Sequence, residues 1–136
     1  MAEKFFSDKW CATALAAENA ASTEIMKRLK KPSEFTHVLA LEVSDRPGLE
    51  TRLKYEQGRC VAWGTELGAE DEVWARFSAS LENWHKAGTG QAKASNLVMA
   101  GKIKLTKGAM KDAVENAAPF DRLVQCFTVL DTDWDL

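Results

Sequence analysis

Apolar residues recur every three or four positions along residues 7–30, which is the spacing of one buried face of an α-helix. The stripe runs from Trp10 to Leu29 through an alanine-rich middle that favours helix. Ser7 suits the N-cap position, and Pro32 follows a basic cluster that complements the negative end of a helix dipole. The pattern predicts one long helix, and it favours a helix terminus over a membrane-surface patch for the basic cluster.

Four segments then change to a period of two, which indicates strands with one inward and one outward face. The segment 49–56 alternates completely, with Leu49, Thr51, Leu53 and Tyr55 on one side and charged residues on the other. Short turns separate the segments and predict an antiparallel meander, wet on one face and covered on the other. The four strand candidates are residues 35–43, 49–56, 60–67 and 73–79.

The second half of the chain combines short helical patterns with one further strand. Ile103 and Leu105 alternate with Lys102 and Lys104, and Gly108 then turns the chain into a helix. This strand and helix enclose a small apolar corner. The other predicted elements are helices over 80–86 and 91–99, the helix near Met110, a last helix with Pro119 in its first turn, and an acidic tail over 128–136.

Composition restricts the classes of protein to which the chain can belong. With 136 residues, 46% hydrophobic and 28% charged, it is expected to form one soluble domain. A net charge of -2 gives no global attraction to nucleic acid. Cys11, Cys60 and Cys126 are odd in number and far apart, which argues against a disulfide framework and favours a reducing cytoplasm.

Motifs for catalysis are absent from the sequence. It contains no GxSxG, Walker, GxGxxG, HExxH or paired-cysteine motif, so no enzyme activity, metal site or cofactor is predicted. His37 lies mid-strand on the apolar face, which favours a partly buried side chain, and His85 lies on a helix, where a solvated side chain is the default. A histidine–carboxylate pair remains open, although no spacing demands one.

Large apolar side chains are numerous for this length, with five Trp, six Phe and four Met. Met26, Met99 and Met110 fall on the predicted covering helices, and unbranched methionine fills irregular or adaptable spaces. Plain core packing explains each residue individually. The collective pattern leaves room for a ligand cavity between sheet and helices.

Several segments in order resemble the sterol carrier protein type 2 family in its small stand-alone bacterial form. They are FSDKW at 6–10, the hairpin at 55–58, ARFSASLENWHKAGTG at 75–90 and MAGKIKLTKGAMKDA at 99–113. The most specific features are Trp84, the Gly88/Gly90 pair, and the strand 101–105 with Gly108 after it. The resemblance implies one domain over 1–136 with an α/β fold of the α+β type. A curved, mainly antiparallel sheet of about five strands would be covered on one face by helices, with an apolar tunnel between.

That resemblance also implies a function without chemistry, namely binding and carrying a fatty acid, fatty acyl-CoA, sterol or similar lipid. The alternative is an accessory domain that serves a lipid- or quinone-handling enzyme. Transient contact with a membrane or an enzyme fits both. The acidic tail, with Trp134, either closes the tunnel mouth or frays. The ligand-binding residues expected from the alternation are Phe77, Leu81, Trp84, Met99, Ile103, Leu105, Met110, Leu123 and Phe127.

Overall fold

The computed structural model describes residues 2–136, which form a sheet with helices and two short strands at the chain ends. The helices are α1 (Asp8–Ala20), α2 (Ser22–Arg28), α3 (Leu81–Gly88), α4 (Ala94–Met99), α5 (Met110–Glu115) and α6 (Ala117–Gln125). The strands are β1 (Glu3–Lys4), β2 (Val38–Val43), β3 (Glu50–Glu56), β4 (Arg59–Gly64), β5 (Val73–Ala79), β6 (Ile103–Lys107) and β7 (Thr132–Asp133). Short 3-10 helices span Pro32–Glu34, Glu70–Glu72 and Cys126–Val129.

Five strands form the main sheet in the order β4-β3-β2-β5-β6, and each neighbouring pair is antiparallel except β2–β5. The predicted five-stranded, mainly antiparallel sheet is therefore confirmed. The predicted meander is wrong after β4, because β5 lies parallel to β2 instead of pairing with β4. The physical reason lies in β2. Val38 and Ala40 are buried on one face and Leu39 and Leu41 on the other, which is typical of a central strand and not of an edge strand.

The outer face of the sheet carries a network of charged side chains. Arg76 on β5 donates to Glu50 on β3 over 2.6 Å and also pairs with Glu70. Arg52 lies 3.1 Å from the same Glu50 carboxylate. The prediction that one face of the sheet is wet is therefore confirmed, and the opposite face carries the helices.

The predicted helix over 7–30 is divided in two at Ala21, where the backbone leaves helical geometry (φ -100°, ψ 5°). Its start is as expected, since the Ser7 side chain accepts a hydrogen bond from the backbone N–H of Trp10. The division lets the two halves pack on different partners. Helix α1 lies against β4, while α2 turns toward α6 and buries Ile25.

Aromatic rings fill one half of the space between sheet and helices. Phe5, Phe6, Trp10, Trp84 and Phe127 are each at most 1% exposed. Phe5 and Phe6 stack at 3.8 Å between ring centroids, and Trp10 meets Phe127 edge-on at 5.0 Å. The indole N–H of Trp84 donates to the carbonyl of residue 42 over 2.8 Å. The rings pack closely on one another in this part of the core, called here the solid half.

The acidic tail is part of this solid half. Strand β7 pairs in parallel with β1, and the Trp134 ring lies 4.3 Å from that of Phe5. On its other side Trp134 meets His85 edge-on at 4.9 Å. The tail is therefore packed on the aromatic core, and Trp134 does not line the cavity described below.

Candidate functional site

The other half of the core contains an apolar cavity of about 50 Å³, called here the main cavity. The sheet and the segment before β2 contribute Phe35, Leu39, Tyr55, Trp74, Ala75, Phe77 and Leu105. The helices and their flanks contribute Ile25, Leu29, Ala109, Ala113, Pro119, Phe120 and Leu123, and the polar members are Asp112 and Asn116. An almost wholly apolar lining suits hydrocarbon better than a polar substrate.

The main cavity lies beneath α5, a short helix whose apolar contribution to the cavity wall is one small side chain. Helix α5 has only six residues and buries none of them, and it presents the small side chain of Ala113 to the space. Its two large apolar residues, Met110 and Val114, are 50% and 56% exposed. A short helix held by few buried contacts is the part of the cover that opens at least cost.

The main cavity is small for a lipid-binding site. A single buried water needs roughly 10–15 Å³, so 50 Å³ holds a few waters and not a long lipid. Admitting an alkyl chain therefore requires the cover to move outward. The expected continuous tunnel is not present within residues 2–136 in this state.

A polar vestibule of about 330 Å³ adjoins the main cavity and shares Phe35, Trp74, Asp112 and Asn116 with it. Its outer rim carries charged side chains from the segment after α2, the following 3-10 helix and α5. Lys30 pairs with Glu115 at 3.4 Å and Lys31 with Glu34 at 3.7 Å. The other charged residues of the vestibule are Lys111 and Asp112. The geometry thus places a mixed-charge rim, with three lysines, beside an apolar interior.

His37 and Trp74 form one wall of the vestibule. Their rings stack at 4.0 Å between centroids with only 10° between planes, and Phe35 meets Trp74 edge-on. Burial lowers the pKa of His37, while the charge of Asp112 acts in the opposite direction. A neutral, stacked imidazole extends the apolar wall toward the surface.

A second apolar cavity of about 60 Å³ lies on the far side of Phe77 and Phe120. Both rings and Ala113 line the two cavities together. The other residues of the second cavity are Ser95, Val98, Met99, Val114 and Ala117. The apolar space is consequently divided into two compartments by an aromatic pair.

The predicted ligand-binding residues fall into four groups. Phe77, Leu105 and Leu123 line the main cavity, and Phe77 and Met99 line the second one. Trp84, Ile103 and Phe127 are buried at 1% or less in the solid part of the core. Leu81 is partly buried against that core. Met110 lines neither cavity.

Sequence reasoning missed most of the lining that comes from α2, the strand β3 and α6. Tyr55, Phe35 and Leu39 were recognised as inward residues by their alternation, but no pattern distinguished a cavity wall from filled core. Phe120 falls on the apolar side of the last predicted helix and was also not selected. Helical spacing toward Leu123 was the signal that could have found it.

The described residues offer few chemically reactive side chains, and the thiols among them are buried. All three cysteines are free and buried. Burial raises the pKa of the Cys11 thiol to about 11 and also raises the pKa values of Cys60 and Cys126. Within residues 2–136 no group of three potential ligands could hold a metal ion, and no helix is long and apolar enough to span a bilayer.

One ionisable side chain in the interior has no partner. Glu18 on α1 is fully buried, and neither carboxylate oxygen has a hydrogen-bond partner within residues 2–136. Burial raises its pKa to about 7, and its charge acts on Tyr55, Cys60 and Cys126. Tyr55 lines the main cavity, so the charge of Glu18 acts on one residue of that cavity's wall.

Solved structures with this fold are described as sterol carrier proteins. A crystal structure of sterol carrier protein 2 has 20% identity and a TM-score of 0.75, covering 93% of this chain and 99% of that one. A Thermus thermophilus protein described as possibly a sterol carrier protein has 20% identity and a TM-score of 0.74, covering 98% and 94%. A ubiquinone synthesis protein, UbiJ-SCP2, has 17% identity and a TM-score of 0.51, covering 85% and 86%.

At these identities the likeness shows the fold. No protein of established function matches the chain in a sequence comparison. The model of the SCP-2 sterol transfer family, however, matches residues 12–121, a span that includes β2 to β6 and most of the lining of both cavities. By this match the chain belongs to the SCP-2 sterol transfer family.

Proposed function

We propose that the protein binds and carries a lipid without chemical conversion, with the aliphatic part in the main cavity. The observation that carries this proposal is an apolar cavity between sheet and helices that adjoins a polar vestibule. Such a pair of spaces suits an amphipathic molecule with a hydrocarbon tail and a polar head. A fatty acid, a fatty acyl-CoA and a sterol all have this character.

The binding free energy would come from burial of methylene groups, at about 0.8 kcal/mol each. A long acyl chain would contribute roughly 10 kcal/mol before the costs of association and of opening the cover are subtracted. Micromolar affinity with little head-group specificity is the expected result. An outward displacement of α5 would enlarge the cavity, since Ala113 of that helix lines it. The helix is suited to such a displacement because none of its residues is buried.

The vestibule is the proposed position of the head group. Lys111, Lys30 and Lys31 surround it and would attract a carboxylate or phosphate, although the last two already pair with carboxylates. Lys102 and Lys104 on the basic strand are the alternative lysines for this role. Both are exposed and line neither cavity, so we assign the role to the vestibule lysines instead.

Binding without catalysis fits the state of the ionisable groups. The thiols have raised pKa values, so little nucleophilic thiolate exists near neutral pH. Both histidines rest against tryptophan rings. Three free thiols also fit a reducing compartment, and we propose the cytoplasm.

Native mass spectrometry on freshly purified protein, followed by denaturation and organic extraction, tests the proposal. We expect a lipid at near-stoichiometric amount, or reloading of the delipidated protein by added fatty acid. Lipid uptake is compared between two matched variants. Ala113→Trp fills the cavity, whereas Ala118→Trp places the same side chain on an exposed face of α6. A clean apo mass with no uptake of added lipid by the unmodified protein would overturn the carrier function.

The second candidate is an accessory domain that presents a surface to a lipid- or quinone-handling enzyme. It is favoured by the small volume of the main cavity and by the exposure of Met99, Met110 and Val114, of which Met99 is 76% exposed. A domain of this kind would bind its partner through these residues and would remain lipid-free in the extraction experiment.

A further inference from the structure

The two apolar cavities meet at one pair of aromatic rings. Phe77 and Phe120 line both spaces, and their rings stack with centroids 4.5 Å apart and planes 19° apart. Rings at this separation are in van der Waals contact, so an alkyl chain cannot pass between them. The stacked pair is therefore a wall between a compartment beside the vestibule and a compartment beside Met99.

The two rings of the wall stand on elements that differ in how firmly they are held. Phe77 belongs to β5, which is paired on both edges, and lies in register with Leu105 on β6. Phe120 belongs to α6 and lies beside Ala113 of α5, the helix with no buried residue. The Phe120 ring is thus the movable half of the wall.

We propose that Phe120 sets the length of the aliphatic chain that the main cavity accepts. In the resting position its ring ends the compartment, and a longer chain enters the second cavity only when that ring turns aside. This inference rests on the proposed lipid-carrier function and assigns its chain-length specificity to one side chain.

The second cavity would be a less favourable environment for the additional methylenes. Met99 and Val114, which line it, are 76% and 56% exposed, so a chain that entered would be partly in contact with water. In the unmodified protein affinity is expected to rise with chain length up to the wall and to level off there, because the ring must turn aside before further methylenes are buried. Without the ring the rise is expected to continue, more shallowly than in the main cavity.

The test is a series of saturated fatty acids with even chain lengths from C8 to C18, titrated into delipidated protein by isothermal titration calorimetry. For the unmodified protein we expect affinity to rise about fourfold per methylene and then to reach a plateau. For Phe120→Leu, which keeps an apolar side chain but removes the ring, we expect the rise to continue to longer chains.

Phe35→Leu is the matched control, because Phe35 is as buried as Phe120 (8% against 9%) and lines the main cavity but not the second one. We expect it to lower affinity by a similar factor at every chain length and to leave the plateau at its original length. Adding Val114→Trp to Phe120→Leu fills the second cavity and should restore the original plateau.

Circular dichroism checks that each variant is folded before titration. Length profiles that coincide for the unmodified protein and Phe120→Leu would overturn the wall and leave the carrier function standing. Absence of binding at every length, in every variant, would overturn both. If Phe120→Leu does not fold, the single variant Val114→Trp, which fills the second cavity, provides the test. If the Phe120 ring excludes fatty-acid chains from the second cavity, this variant should bind chains shorter than the plateau length as tightly as the unmodified protein. Weaker binding of those chains would show that they already enter the second cavity and would overturn the wall.

Discussion

Gly88 lies so close to the indole of Trp134 that a Cβ at position 88 would come within 2.8 Å of the ring atom Cη2. The contact joins the end of α3 to the C-terminal tail, and the other side of the indole lies against Phe5. Both glycine and tryptophan are needed for this close approach, since any larger residue at 88 displaces the ring.

We expect Gly88→Ala to reveal this contact through a double-mutant cycle. Overpacking against Trp134 should destabilise the protein by about 1–2 kcal/mol. In the Trp134→Ala background the same change should be neutral or stabilising by up to about 1 kcal/mol, because alanine has the higher helix propensity. Urea unfolding followed by far-UV circular dichroism measures both free energies. Equal effects in the two backgrounds would show that the ring does not restrict position 88.

The buried carboxyl group of Glu18 predicts a dependence of stability on pH. Its pKa is about 7 in the folded protein against 4.5 when exposed, so folding takes up a proton between those values. The contribution of this group to stability is therefore complete below about pH 4.5 and is lost as pH rises through 7. We expect Glu18→Gln to stabilise the protein at pH 8 by roughly 3 kcal/mol and to change little near pH 4.

The control for that experiment is Glu66→Gln, which changes an exposed carboxylate to an amide. Chemical denaturation of both variants and the unmodified protein from pH 4 to pH 8 gives the comparison. A Glu18→Gln curve parallel to that of the unmodified protein across this range would mean that the carboxyl group reaches solvent or a charged partner.

Ligand affinity should respond to volume added in the cavity. Ala113 lines both apolar spaces, so Ala113→Leu is expected to weaken fatty-acid binding by at least about tenfold through loss of buried chain. Ala118→Leu on an exposed face and Met110→Glu outside both cavities are expected to stay within about twofold. Displacement of a fluorescent fatty acid provides the affinities. A Met110→Glu loss as large as that of Ala113→Leu would move the binding site to the surface of α5.

The cysteines provide a test of how tightly the core is closed. Cys11, Cys60 and Cys126 are buried with raised pKa values, so the native protein should show no rapidly reacting thiol toward a disulfide reagent at pH 8. Three equivalents should react after unfolding. Rapid modification of even one thiol in the native state would contradict the burial described above.

Much of the fold could be predicted because one-face burial leaves a period in the sequence. Residues 49–56 show it most clearly, since Thr51, Leu53 and Tyr55 are buried while Lys54 and Glu56 are exposed. Such alternation identifies strands and their faces, but it does not identify their neighbours. The parallel pairing of β2 with β5 was missed because it depends on the nearly continuous apolar character of β2, whereas the short turns favoured pairing of consecutive strands.

The site could be predicted less well, for a physical reason. Phe77 and Trp84 are both apolar, both buried and both among the predicted ligand-binding residues, yet Phe77 borders empty space and Trp84 packs against another ring in the solid half. Whether a buried side chain faces a gap depends on the size of the residues opposite. Here the gap lies beside the small side chain of Ala113 on the short helix α5, a property of the cover that no single strand or helix pattern records.

Intermolecular NOEs between a ¹³C-labelled fatty acid and the protein would locate the ligand directly. Binding in the main cavity predicts NOEs from the chain methylenes to the rings of Phe35 and Phe77 and the methyl groups of Leu123, and none to Trp84. NOEs confined to Met99 and Met110 at the surface, or no NOEs at saturating fatty acid, would contradict binding of the chain between sheet and helices.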